Sequence, residues 1–178
     1  MNLCHSLRYC FVFFLFAFLL ACEKEPLLHS GMGKKPIYIP HNELNDIANL
    51  PQQEVISTGT IFLREPHFFM LEDRRGIHVY DVSDPNFPTY LTFLKIPAIT
   101  DFSISGNRLY ADSWRDLLTL DITDLFDIKV ISRNENQLNP ILFPELYNGI
   151  FECVDESRGA IGGWEDVYLE EAACQTNN

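Results

Sequence analysis

The chain reads as an all-β protein assembled from repeated four-stranded antiparallel units, and three observations lead there. From Gln53 onward, short apolar-rich stretches alternate with Gly, Pro, Asp and Asn turns about every 8 to 12 residues, the rhythm of short strands. Sliding the sequence by 40 positions lays residues 60–92 on residues 100–132 without a gap. Within the second copy four strand candidates fall at Ile99–Ser105, Arg108–Ser113, Leu117–Ile122 and Ile128–Arg133, with Gly106-Asn107 as a tight turn between the first two.

Four antiparallel strands in about 40 residues make one propeller-like blade. In the overlay Thr60, Phe62, Arg75, Asp81 and Asp84 fall on identical residues at Thr100, Phe62's counterpart Phe102, Arg115, Asp121 and Asp124. Apolar character repeats at Phe69/Leu109, Ile77/Leu117, Val82/Ile122 and Leu91/Ile131. The repeats span about 54–96 and 97–136. A partial third, 141–166, rests on Tyr147–Asp155 and Gly159–Trp164 as the second and third strands of a blade. Together they place a β-blade domain over residues 53–178.

Ahead of that domain the chain changes character. Arg8 is the one charged residue before an unbroken apolar run, Phe11–Leu20, which ends at Ala21-Cys22 and a charged Glu23-Lys24-Glu25. A basic start, an apolar stretch and a small residue at the cut make residues 1–21 a secretory signal. The apolar run is too short for a membrane span, which needs about 20 residues. Residues 22–52 then read as a tether broken by Pro26, Gly31, Gly33 and Pro36, with a short helix over His41–Leu50, Asn42 as its N-cap and Pro51 as its end.

Composition limits function. The formal net charge is −12, so a phosphate backbone is repelled and nucleic acid is not an expected partner. Cys153 and Cys174 remain after the signal and Cys22 are set aside. In an oxidising compartment they either form a bridge or stay as two free thiols, one in a frayed tail. Neither their spacing nor a nearby histidine pair suggests zinc, and no metal or cofactor is expected. Catalytic signatures such as G-x-S-x-G, H-E-x-x-H and the Walker loop do not occur in the sequence. Of His29, His41, His67 and His78, the last lies mid-strand and reads as a sheet-face or core histidine. Asp81, Asp84, Asp121 and Asp124 are candidates for Ca²⁺ binding or acid/base work, but Asp-x-Ser/Thr-Asp also builds turns directly, and a device repeated in every unit favours structure. Trp114, in the polar Asp112–Asp116 turn, is the expected exposed contact residue, with Arg115 pairing at the surface with Asp112 and Asp116.

Two stretches carry a family resemblance. Leu19-Leu20-Ala21-Cys22 resembles the lipobox of bacterial lipoproteins, which implies diacylglycerol on the Cys22 thiol, removal of the signal and acylation of the new amino terminus. Gly76-Ile77-His78-Val79-Tyr80-Asp81-Val82-Ser83-Asp84-Pro85 resembles the LVIVD repeat of Bacteroidetes-type lipoproteins, and Thr100–Ser113 resembles that repeat's preceding strands. The resemblance covers about 54–133, with weaker extension to 164. It implies a lipid-anchored protein of the outer membrane, on its periplasmic face or the cell surface, held by lipid on Cys22. A non-catalytic binding or scaffold role toward an envelope protein or glycan follows; the alternatives are an envelope hydrolase or lyase using loop carboxylates, or a degenerate fragment of a longer propeller. Two repeats and a partial third fall short of the 4 to 8 blades that close a propeller. The expectation is a truncated relative, ahead of an extension by an unseen segment or a ring completed by self-association.

Overall fold

The computed structural model describes residues 29–176; the expected signal sequence, Cys22 and the lipobox-like segment before it lie outside the described residues. Among the described residues there are thirteen strands in three sheets, two short 3-10 turns and no α-helix. The sheets are largely antiparallel and do not close into a barrel or a propeller ring.

The first sheet is a meander of β3 (Ile61–Arg64), β4 (His67–Glu72), β5 (Gly76–Asp81) and β6 (Thr89–Lys95). Successive side chains of a strand point to opposite faces. Phe69, Leu71, Ile77 and Val79 therefore share one face, here called the front, while Phe68, Met70, Glu72, His78 and Tyr80 share the back. A fifth strand, β2 (Ala48–Leu50), pairs antiparallel with the outer edge of β6. The second sheet repeats the meander with β7 (Phe102–Ser105), β8 (Arg108–Ser113), β9 (Asp116–Asp121) and β10 (Lys129–Asn134). Gly106, at φ 55°, makes the β7–β8 turn, a left-handed conformation that costs glycine nothing.

Strand register corrects the gapless overlay. In the first sheet His67 pairs with Asp81; in the second Arg108 pairs with Asp121. The third and fourth strands of the two units are thus 40 positions apart and the first two 41, because the β8–β9 turn is one residue shorter than the β4–β5 turn. Hydrogen bonds agree: Val82 N–H donates to Pro66 O and Ile122 N–H to Asn107 O. The bulges in β6 and β10 fall at the equivalent Leu91 and Ile131. A shift of one residue moves a strand's side chains to the other face. Phe62 and Phe102, identical in the overlay, accordingly lie on opposite faces of their sheets and meet across the interface at 6.4 Å.

That interface is the main core. The front of the first sheet packs on the face of the second that carries Leu109, Ala111, Leu118 and Leu120, joined by Ile96, Ile99 and Phe102. Those second-sheet positions are the counterparts of Phe68, Met70, His78 and Tyr80. The two sheets are therefore stacked in the same sense, front onto back. Asn49 of β2 pins the stack at its rim: its amide donates to Leu125 O (2.6 Å) and its carbonyl accepts from Ile128 N–H (3.0 Å).

The third sheet overturns two expectations. Its order is β12 (Ala160–Ala172), β1 (His29–Ile39), β11 (Gly149–Phe151), β13 (Cys174–Thr176). Residues read as a tether form β1, paired with β12 along most of its length. Gly33 is not a breaker there: a Cβ would sit 2.6 Å from both Ile150 O and the Leu169 side chain, so its bareness lets strands approach. The partial third repeat is not a meander either. β1 lies between β11 and β12, pairing with β11 in parallel, because the amino-terminal strand supplies a partner the repeat pattern did not foresee. The helix expected over His41–Leu50 is a 3-10 turn, His41–Asn45, after Pro40, without a side-chain cap from Asn42. Residues 48–50 are drawn into β2 instead. Cys153 and Cys174 are joined by a disulfide, with Cα atoms 5.2 Å apart.

Candidate functional site

The residues expected at an exposed surface gather at the β8–β9 turn, but in other roles. Trp114 is only 6% exposed. Its ring belongs to a second hydrophobic cluster with Leu44, Ala98, Ala160 and Ile161, because the third sheet and the 3-10 turn cover it. Both covering elements come from segments the sequence pattern assigned elsewhere. Arg115 does not pair with Asp112 or Asp116. Its guanidinium bonds Glu156, across 41 residues, and lies 5.9 Å over the Trp114 ring. Asp116 instead holds Arg133 at 2.6 Å and accepts from Asn136 N–H. Asp112 accepts the backbone N–H groups of Thr100 (2.7 Å) and Asp101 (2.9 Å), fixing the approach to β7.

The four repeated carboxylates are turn builders. Asp81 accepts from Ser83 N–H, Asp84 from Asn86 N–H, Asp121 from Thr123 N–H and Asp124 from Phe126 N–H, each two residues on. Hydrogen bonds from Thr123 and the neighbouring Arg108 lower the Asp121 carboxyl to about 2.

His78 is fully buried on the back of the first sheet, its Nε2 3.2 Å from a Glu72 carboxylate oxygen. Among the described residues its Nδ1 is buried with no hydrogen-bond partner. Burial holds the imidazole below its ordinary range, although Glu72 pulls the other way, so the neutral form is favoured. Glu72 was not singled out from the sequence. It accepts Ser57 N–H (2.7 Å), Ile56 N–H (3.2 Å) and the Ser57 hydroxyl, latching the irregular chain before β3 onto the sheet. Burial pushes its carboxyl up, but these donors prevail and hold it below the usual range. A usable signal was present: Glu72 is the last and Asp112 the next-to-last residue of a second strand, each shortly ahead of a turn. Asn49 had no such signal, since its partners are 76 and 79 residues away.

Two cavities flank the Trp114 turn. One, about 480 Å³, is lined by Trp114, Arg115, Asp116, Arg133 and Glu156 among others, and its charges are largely paired. The other, about 390 Å³, lies against the front of the second sheet, with Tyr110, Asp112, Leu117 and Trp114 facing Leu138–Ile141. Its wall includes three non-glycine residues in left-handed conformation: Arg74 (φ 60°), Ala98 (φ 58°) and Trp114 (φ 61°). They are chained by backbone bonds, Ala98 N–H to Arg74 O and Trp114 N–H to Ala98 O. Such residues cost of order 1–3 kcal/mol each and cluster at functional sites. Among the described residues no group of three or more His, Cys, Asp or Glu side chains is arranged to hold a metal ion.

Set against profiles of known protein families, curated proteins and solved structures, the chain finds no match.

Proposed function

We propose that the chain is a lipid-anchored protein of the bacterial outer membrane whose two stacked sheets are successive propeller-like blades of the LVIVD type. In this reading the blade domain has a non-catalytic role, contacting an envelope protein or glycan. The observation that carries it is Leu19-Leu20-Ala21-Cys22 at the end of a short apolar run, a lipobox at the expected place. Several acyl chains on one residue make a stable anchor where a single chain binds only marginally. The disulfide between Cys153 and Cys174 supports the reading, since such bonds persist in oxidising, extracytoplasmic compartments. The meander registers and same-sense stacking support the blades.

The test is metabolic labelling with palmitate in a bacterial host. Label should enter the wild-type chain and be lost in Cys22→Ala, and proteinase shaving of intact cells then separates the cell surface from the periplasmic face. Equal labelling of both chains would remove the anchor.

A further inference from the structure

The 390 Å³ cavity on the front of the second sheet has the composition of a ligand site, and its size falls in the ordinary range for small-molecule pockets. One part is apolar: Leu117, Leu138 and the Tyr110 ring, which is 38% exposed. Another part is polar and mixed in sign. Arg74 is 5% exposed; its Nη1 donates to Ile161 O, its Nε lies 3.6 Å from the Asp73 carboxylate, and among the described residues its Nη2 has no hydrogen-bond acceptor. The free Nη2 reaches solvent at the cavity, so its N–H groups can exchange water for a ligand's acceptor. Asp101 and Ser103, both exposed, add an acceptor and a hydroxyl to the same lining.

Charge decides among ligand classes. Asp73 lies beside Arg74, and Asp101 and Asp112 line the same cavity, so an anion meets more negative than positive charge. A cation would in turn have to approach the buried Arg74. A neutral ligand with many hydroxyls satisfies donors and acceptors together and pays neither penalty. The face of an aromatic ring is the negative end of its quadrupole and receives the weakly positive C–H face of a pyranose.

We infer that this cavity binds a neutral saccharide unit, with Tyr110 and Leu117 against its C–H face and Arg74, Asp101 and Ser103 on its hydroxyls. The inference rests on the envelope-binding reading and names its ligand class.

The experiment uses the full chain purified in a polyoxyethylene detergent, since a sugar-headed detergent would compete. Saturation-transfer NMR and Trp fluorescence are followed while glucose, cellobiose and glucuronate are titrated in turn. A second arm presents glucose as the terminal unit of an immobilised glycan, separating a free sugar from a glycan end. Saturable binding of a neutral sugar is expected, with glucuronate weaker. Tyr110→Ala and Ser103→Ala should each keep the melting temperature, and Tyr110→Ala should weaken binding about tenfold, or 1.4 kcal/mol. A flat titration with both neutral sugars, glucuronate binding as well as glucose, or Tyr110→Ala binding unchanged would each overturn the inference. Palmitate labelling that persists beside a flat titration leaves the anchor standing, so the two failures are distinguishable.

Discussion

In the first sheet the front residues Ile77 and Val79 and the back residues Glu72 and His78 are all closed off from solvent, whereas in the second only the back, with Leu109, Ala111, Leu118 and Leu120, is fully buried. The backbones are near copies; the faces are not. At equivalent front positions Phe69, Leu71, Ile77 and Val79 of the first sheet become Tyr110, Asp112, Leu117 and Thr119 of the second. The first set packs against another sheet; the second set meets a cavity and a loop. The bulge residues follow suit, since Leu91 joins the core while Ile131 is 47% exposed. In repeat proteins a unit with a neighbour needs an apolar face, and a unit without one needs a more polar face to remain soluble. The difference between the sheets is therefore one of neighbours, written in four side chains.

The sharpest way to test that difference is to truncate matched front residues. Ile77→Ala should cost about 2–5 kcal/mol, as removing a fully buried branched side chain does. Leu117→Ala should cost about half of that or less, because the side chain is only partly buried. Denaturant unfolding measures both, and equal losses would break the comparison.

Next in size are the carboxylates that hold the chain before each first strand. Glu72→Gln should cost about 1–3 kcal/mol, since a buried charged acceptor of two backbone N–H groups becomes a neutral one. It should also open residues 52–60 to proteolysis while leaving 97–101 protected. Asp112→Asn should do the reverse. Cleavage at the same place in both variants would show that the sheets are not latched independently.

Acid should act through the first sheet. His78 is held below its ordinary value of 6.5, so its contribution is present above about 6.5 and is lost as pH falls through its folded value. Glu72 is likewise held below 4.5, so its contribution is present above about 4.5 and is lost at still lower pH. Melting temperatures taken from pH 7.5 downward should fall in two stages, and His78→Leu should flatten the upper one. An upper stage unchanged in that variant would assign it to another group.

The smallest expected effect is a symmetric one. Asp84→Ala and Asp124→Ala remove the same turn bond from each unit, so calorimetry should record small, equal falls in melting temperature. A clear inequality would mean that one turn carries more than its local bond.

The strands of both units were legible because alternation of side chains and Asp-rich turns are local properties, fixed within six to eight residues. The Asx turns at Asp81, Asp84, Asp121 and Asp124 are of the same kind, as each bond spans two residues. So is the place of His78 inside a strand. The one-residue change in register was not legible, because pairing decides it and the short β8–β9 turn hides it in a gapless overlay. The fate of residues 29–39 was not legible either. Gly31, Gly33 and Pro36 read as breakers in isolation, and only the presence of Ile150 and Leu169 makes Gly33 a requirement of close approach.

The sequence by itself determined the strand class, the turns and the two cysteines available for a bridge, since each depends on a residue's own geometry or chemistry and on near neighbours. Tertiary structure alone decided which face of each sheet is covered, that β1 enters the third sheet, and that Trp114 lies inside rather than at the surface. Those outcomes depend on contacts across scores of residues, such as Arg74 to Ile161 and Arg115 to Glu156, for which a periodic pattern carries no information. Burial is set by what the rest of the chain lays over a residue, and so a tryptophan in a polar turn became the floor of a cavity.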